Sequence, residues 1–248
     1  MSLVIHHLQV SQSERIVWLA EELGLDYKLV IHKRDPFLSP QSIRDLNPLG
    51  QAPIIQDNVG GDDNNVVTLA ESGAIAEYIL TKHGGGGGDG SSLLRLPPSD
   101  PDYAQYLYWF HFANGNLHPQ LSRVMVLRLC GVDVSAASSQ WHARRHADHQ
   151  AKFLRFMDSH LARSGKPWLA GDRFTAADIM NVFPLTTMRA FSGLDLSDYP
   201  NILAYLGRCT QRDGYKRARA KGDPDLELMV DGPPPAQFLQ RLKDEGKM

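Results

Sequence analysis

Two serines, Ser11 and Ser13, stand where an apolar stretch gives way to a helical one, in the run LVIHHLQVSQSERIVWLAEELGL. Ile16, Val17, Ala20 and Leu23 form the i, i+1, i+4, i+7 stripe of a buried helix face, and Gly24 sits where such a helix would end. A hydroxyl at this junction lies near backbone N–H groups without intrahelical partners and near the positive end of the helix dipole. The chemistry available there is stabilisation of an anion, and a thiolate is an anion. The plainer reading is that Ser11 or Ser13 caps the helix. Glu71-Ser72 is a second junction of this kind, a strand end followed by a helix start, where backbone N–H groups suit a carboxylate. In isolation it also reads as a capping turn.

The elements that position these residues alternate over the first 83 positions. Leu3–Leu8 reads as a strand, Glu14–Leu23 as a helix and Tyr27–His32 as a strand, which implies a parallel pair with a right-handed crossover. Ser39-Pro40 starts a short helix that Asn47-Pro48-Leu49-Gly50 ends. Ala52–Gln56 and Val66–Leu69 read as short strands around the polar loop DNVGGDDNN, and Ser72–Thr81 closes the unit as a helix. Residues 84–100, with five consecutive glycines and then LLRLPPSD, read as a linker. From 101 to 222 the signals are helical: Asp102–Leu129, rich in aromatics, Trp141–Arg163, Ala176–Met188, Asn201–Arg212 and Gly214–Lys221. Thr175 and Asp178 have the spacing of a capping box, with Phe174 and Ile179 as a hydrophobic staple. Residues 223–248 read as a tail on the surface or disordered.

A chain of 248 residues can hold one large domain or two small ones, and its 42% hydrophobic and 22% charged residues are ordinary for a globular protein. A net charge of −2 gives no case for nucleic acid or an anionic membrane. No apolar run approaches the ~20 residues of a membrane helix, and the start MSLVIHH lacks the layout of a signal peptide. The two cysteines, Cys130 and Cys209, have neither disulfide nor metal spacing. A cytoplasmic location follows as an expectation. His142, His146 and His149 share a helix side, but among Arg144, Arg145 and Asp148 they read as a solvated face, and no metal is expected. His6 and His7 read as residues that pack or bond locally.

An α/β unit, a linker and an all-helical domain, in this order, resemble the cytosolic glutathione transferases. The likeness covers residues 3 to about 222 and rests on four motifs in order: Ser11-Gln-Ser13-Glu-Arg15 with Trp18 and Glu21–Tyr27, Asn47–Ile55 as an NPxGxxP segment, Leu69–Ile75 as the ES-containing turn, and Asp178 in its capping box. The serine-type bacterial and fungal group that includes the yeast glutathione transferase I type is the most similar. The implied fold class is α/β followed by all-α: a thioredoxin-like domain over 1–83, the linker, and a helical domain over 101–222.

The resemblance implies glutathione as co-substrate and Ser11 as the catalytic donor to its sulfur, with Ser13 as the alternative. A free thiol of pKa ~8.5 is only a few per cent ionised at neutral pH, and a hydrogen bond to a charged group, ~1.5–3 kcal/mol, lowers that by about one to two units. Serine would act as donor, not base. Pro53 would be the cis proline that turns Ala52 toward the cysteinyl part, and Gln51 would reach the glycine end, where the family often has lysine. Lys33 or Arg34 could compensate for that lost charge. Ser72 would bind the γ-glutamyl carboxylate and Glu71 the amino group. The second-substrate pocket would draw on Tyr106, Trp109, Phe110 and Asn114, although an aromatic stripe at this spacing is more often core. Related sequences often carry an acid where Asn114 stands.

The resulting function is conjugation of glutathione to small electrophiles, with reduction of organic hydroperoxides as a further activity, a detoxifying role and a homodimer burying its third and fourth helices. The alternative is a glutathione-binding regulatory protein of the same fold with little activity. Thiol-disulfide exchange is disfavoured, because no cysteine precedes Cys130.

Overall fold

Leu3–Leu8 forms β1, an interior strand buried on both faces apart from Val4. It pairs in parallel with β2 (Lys28–His32) and antiparallel with β3 (Ile54–Asn58), which in turn pairs antiparallel with β4 (Val66–Ala70), giving the order β2-β1-β3-β4. The parallel pair needs a crossover, and α1 (Glu14–Glu22) supplies it. The short α2 (Gln41–Arg44) buries Ile43 with Leu8, Ala52 and Ile54, and α3 (Ser72–Lys82) follows β4. The computed structural model describes residues 3–35, 37–58, 65–84, 94–135 and 140–235. Most of the loop expected around residues 58–65, the glycine run after Gly84 and residues 236–248 lie outside them.

These elements belong to a first unit, the chain up to Pro98 together with Thr210–Glu227. That division differs from the expected boundary at 222. The last helix, α10 (Asp213–Gly222), packs on α1 within the first unit rather than closing the helical domain. The cause is charge and shape. Arg212 donates to both carboxylate oxygens of Glu22 at 2.8 and 2.7 Å, Arg217 donates to Glu21 at 2.9 Å, Lys221 also bonds Glu21, and the Trp18 and Tyr215 rings meet edge to face at 4.9 Å. Gly214 permits the approach, since a Cβ there would lie 2.6 Å from the Glu22 carboxyl carbon.

The second unit comprises Ser99–Cys209 and the described residues from Leu228 on. Its elements are α4 (Tyr103–Phe112), α5 (His118–Leu129), α6 (Trp141–Ser164), α7 (Ala176–Val182), α8 (Arg189–Ser192) and α9 (Pro200–Thr210). Two expected helices are interrupted. Asp102–Leu129 passes through a π-helical turn at Ala113–Leu117, because Pro119 has no N–H for the carbonyl four residues back. Ala176–Met188 ends at Val182 in a 3₁₀ turn, Phe183–Leu185, around Pro184.

The capping box is present: Thr175 accepts from the Ala177 N–H at 3.3 Å and Asp178 accepts from the Thr175 N–H at 2.9 Å. Asp178 also accepts from the Leu169 N–H and the Tyr205 hydroxyl, and burial raises its pKa to about 6 against those donors. The tail, as far as it is described, is held by specific bonds while Asp231, Pro233 and Pro234 stay exposed. Buried Arg189 binds the carbonyls of Met229, Asp231, Gly232 and Pro233, fixing residues 229–233 in place.

Candidate active site

The turn between β1 and α1 carries both serines. Val10 adopts φ +51°, unusual for a β-branched residue, and two charged side chains hold it there. Asp223 accepts from the Val10 N–H at 3.0 Å, while Arg34 donates to the carbonyls of Gln9 and Val10 at 2.9 Å each and of Phe37 at 2.7 Å. Burial lowers the pKa of Arg34 to about 10, against the pull of Asp223. The suggestion that Arg34 compensates at a glycyl carboxylate is therefore revised: its donors serve the backbone of this turn.

The serines divide their roles differently from a simple cap. Ser11 Oγ accepts the Ser13 N–H at 3.2 Å, donates to the Leu8 carbonyl at 2.8 Å and lies 2.7 Å from Ser13 Oγ. Ser13, at the N-cap position of α1, makes no side-chain capping bond. Its hydroxyl accepts the Leu8 N–H at 3.0 Å and lies 2.8 Å from Nδ1 of His7, whose Nε2 lies 3.0 Å from Asp223 Oδ2. Ser13 is fully enclosed, whereas Ser11 keeps 7% of its surface open. Of the two, Ser11 is the less enclosed.

The Ala52–Pro53 peptide bond is cis, with both residues buried just ahead of β3, while Gln51 is exposed and its carbonyl accepts from Asn47 at 3.2 Å. Glu71 is exposed and holds φ +74°, a strained conformation costing about 1–3 kcal/mol of the kind that concentrates at binding sites. Ser72 is buried at the first turn of α3, and its hydroxyl accepts from Arg15 Nη1 at 3.3 Å. Arg15 is fully enclosed, also donates to Gln12 at 3.1 Å, and burial lowers its pKa to about 9, so it is cationic at neutral pH. A carboxylate at the start of α3 would thus meet a helix N-terminus backed by a buried cation.

The aromatic residues expected to line a second-substrate pocket sit mostly in the core. Tyr106, Trp109 and Phe110 are buried, and the Trp109 ring packs against Phe112, Phe156 and His160 at 5.0, 5.8 and 4.6 Å. Its carbonyl takes the Asn181 side chain at 2.7 Å. Only Asn114, on the π turn, is partly open. The wall reading therefore fails for Trp109: an aromatic stripe at helical spacing here is packing. Among the described residues, no cluster of three or more His, Cys, Asp or Glu could hold a metal ion, and no helix is long and apolar enough to cross a membrane.

Sequence reasoning missed Asp223 and the bonds that His7, Arg15 and Arg34 make around this turn and at the start of α3. The available signal was the pairing of charged residues with a strand that is otherwise apolar, but Asp223 lies over two hundred positions from His7.

The models for the glutathione S-transferase N-terminal and C-terminal domains match residues 11–82 and 121–213. A glutathione S-transferase 3 of Schizosaccharomyces pombe is 30% identical over 256 residues, covering 95% of this chain and 98% of the relative. A glutathione S-transferase 1 of Saccharomyces cerevisiae is 28% identical, covering 88% of this chain and 94% of its own. Among solved structures, a glutathione S-transferase of Actinobacillus pleuropneumoniae superposes with a TM-score of 0.71 at 28% identity, over 89% of this chain and 93% of that one. A mixed four-stranded sheet with helices, followed by a helical unit, is the architecture that these domain models and this neighbour support. The chain belongs to the glutathione S-transferase family, and it is a transferase.

Proposed function

We propose that the chain binds glutathione in its first unit, holds it as a thiolate at Ser11 and transfers it to small electrophiles. The observation that carries this reading is the asymmetry of the two serines: Ser11 is the less enclosed, with 7% of its surface exposed and a proton that a ligand can take over from the Leu8 carbonyl, while Ser13 is fully enclosed. A charge-assisted O–H···S⁻ bond stabilises the thiolate and leaves the thiol unassisted, so it lowers the thiol pKa. The γ-glutamyl carboxylate would sit at Ser72 with Arg15 behind it, and its amino group at Glu71. Ala52 and cis-Pro53 would bracket the cysteinyl part, and Gln51 the glycine end. Asn114, rather than Trp109, would contact the electrophile.

The same thiolate can attack the O–O bond of an organic hydroperoxide, so conjugation and peroxidase assays belong in one panel. A cytoplasmic homodimer is part of the proposal. The dimer, not the location, is supported by an open cleft of about 330 Å³ in the helical unit, lined by Tyr108, Phe112, Phe153 and Phe156, with Tyr108 and Phe156 substantially exposed. Turnover with none of a panel of electrophiles and hydroperoxides, despite glutathione binding, would favour the regulatory reading instead.

A further inference from the structure

Behind Ser11 runs an unbroken hydrogen-bonded chain: Ser11 Oγ to Ser13 Oγ at 2.7 Å, Ser13 Oγ to His7 Nδ1 at 2.8 Å, and His7 Nε2 to Asp223 Oδ2 at 3.0 Å. All four residues are buried, and they come from β1, the turn after it and the end of α10. Asp223 also accepts the Val10 N–H, so its carboxylate is fixed on both oxygens. We propose that Ser13, His7 and Asp223 form a relay that carries the thiol proton of bound glutathione onto His7. The proposal rests on the reading that Ser11 faces the sulfur.

The proton count follows from the geometry. A carboxylate only accepts, so Nε2 of His7 carries a hydrogen and, in the neutral ring, Nδ1 is a lone pair. Ser13 then donates to Nδ1 rather than to the Leu8 carbonyl 3.1 Å away, and filling the Ser11–Ser13 contact takes the one Ser11 proton from the Leu8 carbonyl, its other acceptor at 2.8 Å. In that state the Ser11 proton points inward. For Ser11 to donate to a thiolate, Ser13 must turn its proton toward Ser11, and Nδ1 of His7 must become the donor to Ser13. The imidazolium is the state of the chain that matches a thiolate.

A concerted shift connects the two states. The S–H bond breaks with its electron pair left on sulfur, and the proton goes to Ser11 Oγ. The original Ser11 proton passes to Ser13, and the Ser13 proton passes to His7 Nδ1. Neutral thiol and neutral imidazole become thiolate and imidazolium, with nothing oxidised and no net charge gained. Asp223 stabilises the cation formed. The other charged or titratable groups around His7 are Glu14 from α1, Tyr215 and Arg219 from α10, which share with it a cavity of about 10 Å³, His32 from β2, and Arg34, which acts on Asp223. Gly222 keeps the approach open, because a Cβ there would lie 3.0 Å from His7 Nε2.

The test counts protons. Glutathione is titrated calorimetrically into the full-length protein at pH 7.5 in buffers of different ionisation enthalpy, while thiolate is measured by its ultraviolet absorbance. A relay keeps the proton on the protein, so the wild type should release close to no proton per thiolate formed. Asp223→Asn, which retains an acceptor but removes the charge that stabilises the imidazolium, should release close to one, with the thiolate pH profile displaced alkaline by about tenfold in proton concentration. His7→Gln should do the same. Release of one proton per thiolate by the wild type, with the pH profile of both variants unchanged, would overturn the relay; if the variants do not fold, the wild-type count alone decides. Absence of glutathione binding, or a thiolate unaffected by Ser11→Ala, overturns instead the site reading beneath the proposal.

Discussion

Replacing Ser11 by alanine removes the hydroxyl of the less enclosed of the two serines in this turn, and with it the first member of the chain leading to His7. The group lost is a neutral donor to an anion, worth about 1.5–3 kcal/mol, which corresponds to a rise of about one to two units in the pKa of bound thiol. At a pH below that pKa, the thiolate fraction and kcat/KM should fall roughly ten- to hundred-fold, with KM for glutathione little changed, because the γ-glutamyl contacts remain. Ser13→Ala leaves the Ser11 hydroxyl in place. It should shift the titration less than Ser11→Ala, but it should destabilise the fold by about 1–3 kcal/mol, because the Leu8 N–H loses its acceptor inside the protein. The assay is the ultraviolet absorbance of enzyme-bound thiolate followed against pH in both variants, beside their thermal melting. A titration that Ser13→Ala displaces and Ser11→Ala leaves alone would refute the assignment and exchange the two roles.

Glu71→Ala should raise KM for glutathione strongly with kcat nearly retained, since it removes binding made equally in ground and transition states; equal affinity of the wild type for glutathione and its deaminated analogue, by calorimetry, would contradict this. Asp178 has its folded pKa raised from 3.8 to about 6, so its protonated form favours the fold; that contribution is complete below about pH 4 and is lost as pH rises through 6. The stability advantage of the wild type over Asp178→Asn should therefore shrink by up to about 3 kcal/mol between pH 4 and 7, and an advantage that grows over this range in denaturant titrations would sink the argument. Light scattering should give twice the chain mass at micromolar concentration, and a monomer mass throughout would contradict the homodimer.

How much of this could be read in the sequence divides along the range of the interactions. β1, α1 and the Thr175–Asp178 box were legible because strand alternation, helical spacing and capping are local codes. The helix breaks at Ala113–Leu117 and after Val182 were missed because helical spacing continues across both prolines, with Leu117, Leu121 and Val124 around Pro119 and an apolar run around Pro184. Trp109 was misplaced for a different reason: periodicity shows that a side is apolar, not whether it faces a cavity or a neighbouring ring. The placement of α10 against α1 depends on Glu21 and Glu22 meeting Arg212, Arg217 and Lys221, a charge pairing across nearly two hundred residues that no spacing rule encodes. The strand-to-helix junction that carries Ser11 was legible, but not what stands behind it.

What stands behind it explains why a strained turn persists at this position. A non-glycine residue at the dihedral of Val10 costs about 1–3 kcal/mol, and the turn is too short to spread that cost. Hydrogen bonds to charged groups, at about 1.5–3 kcal/mol each, are the interactions large enough to offset it, and the turn receives three of them: one from Asp223 and two from Arg34. Arg34 follows β2, the strand parallel to β1, and Asp223 ends α10, so the turn is gripped from two directions by elements packed on either side of it. Asp223 holds the Val10 N–H with one oxygen and His7 with the other. The carboxylate that holds the turn at Val10 is therefore the same one that bonds His7 behind Ser11. Loss of Asp223 should release both at once, and the two effects separate by assay: the first appears as lost order in the turn, the second as a proton delivered to the buffer.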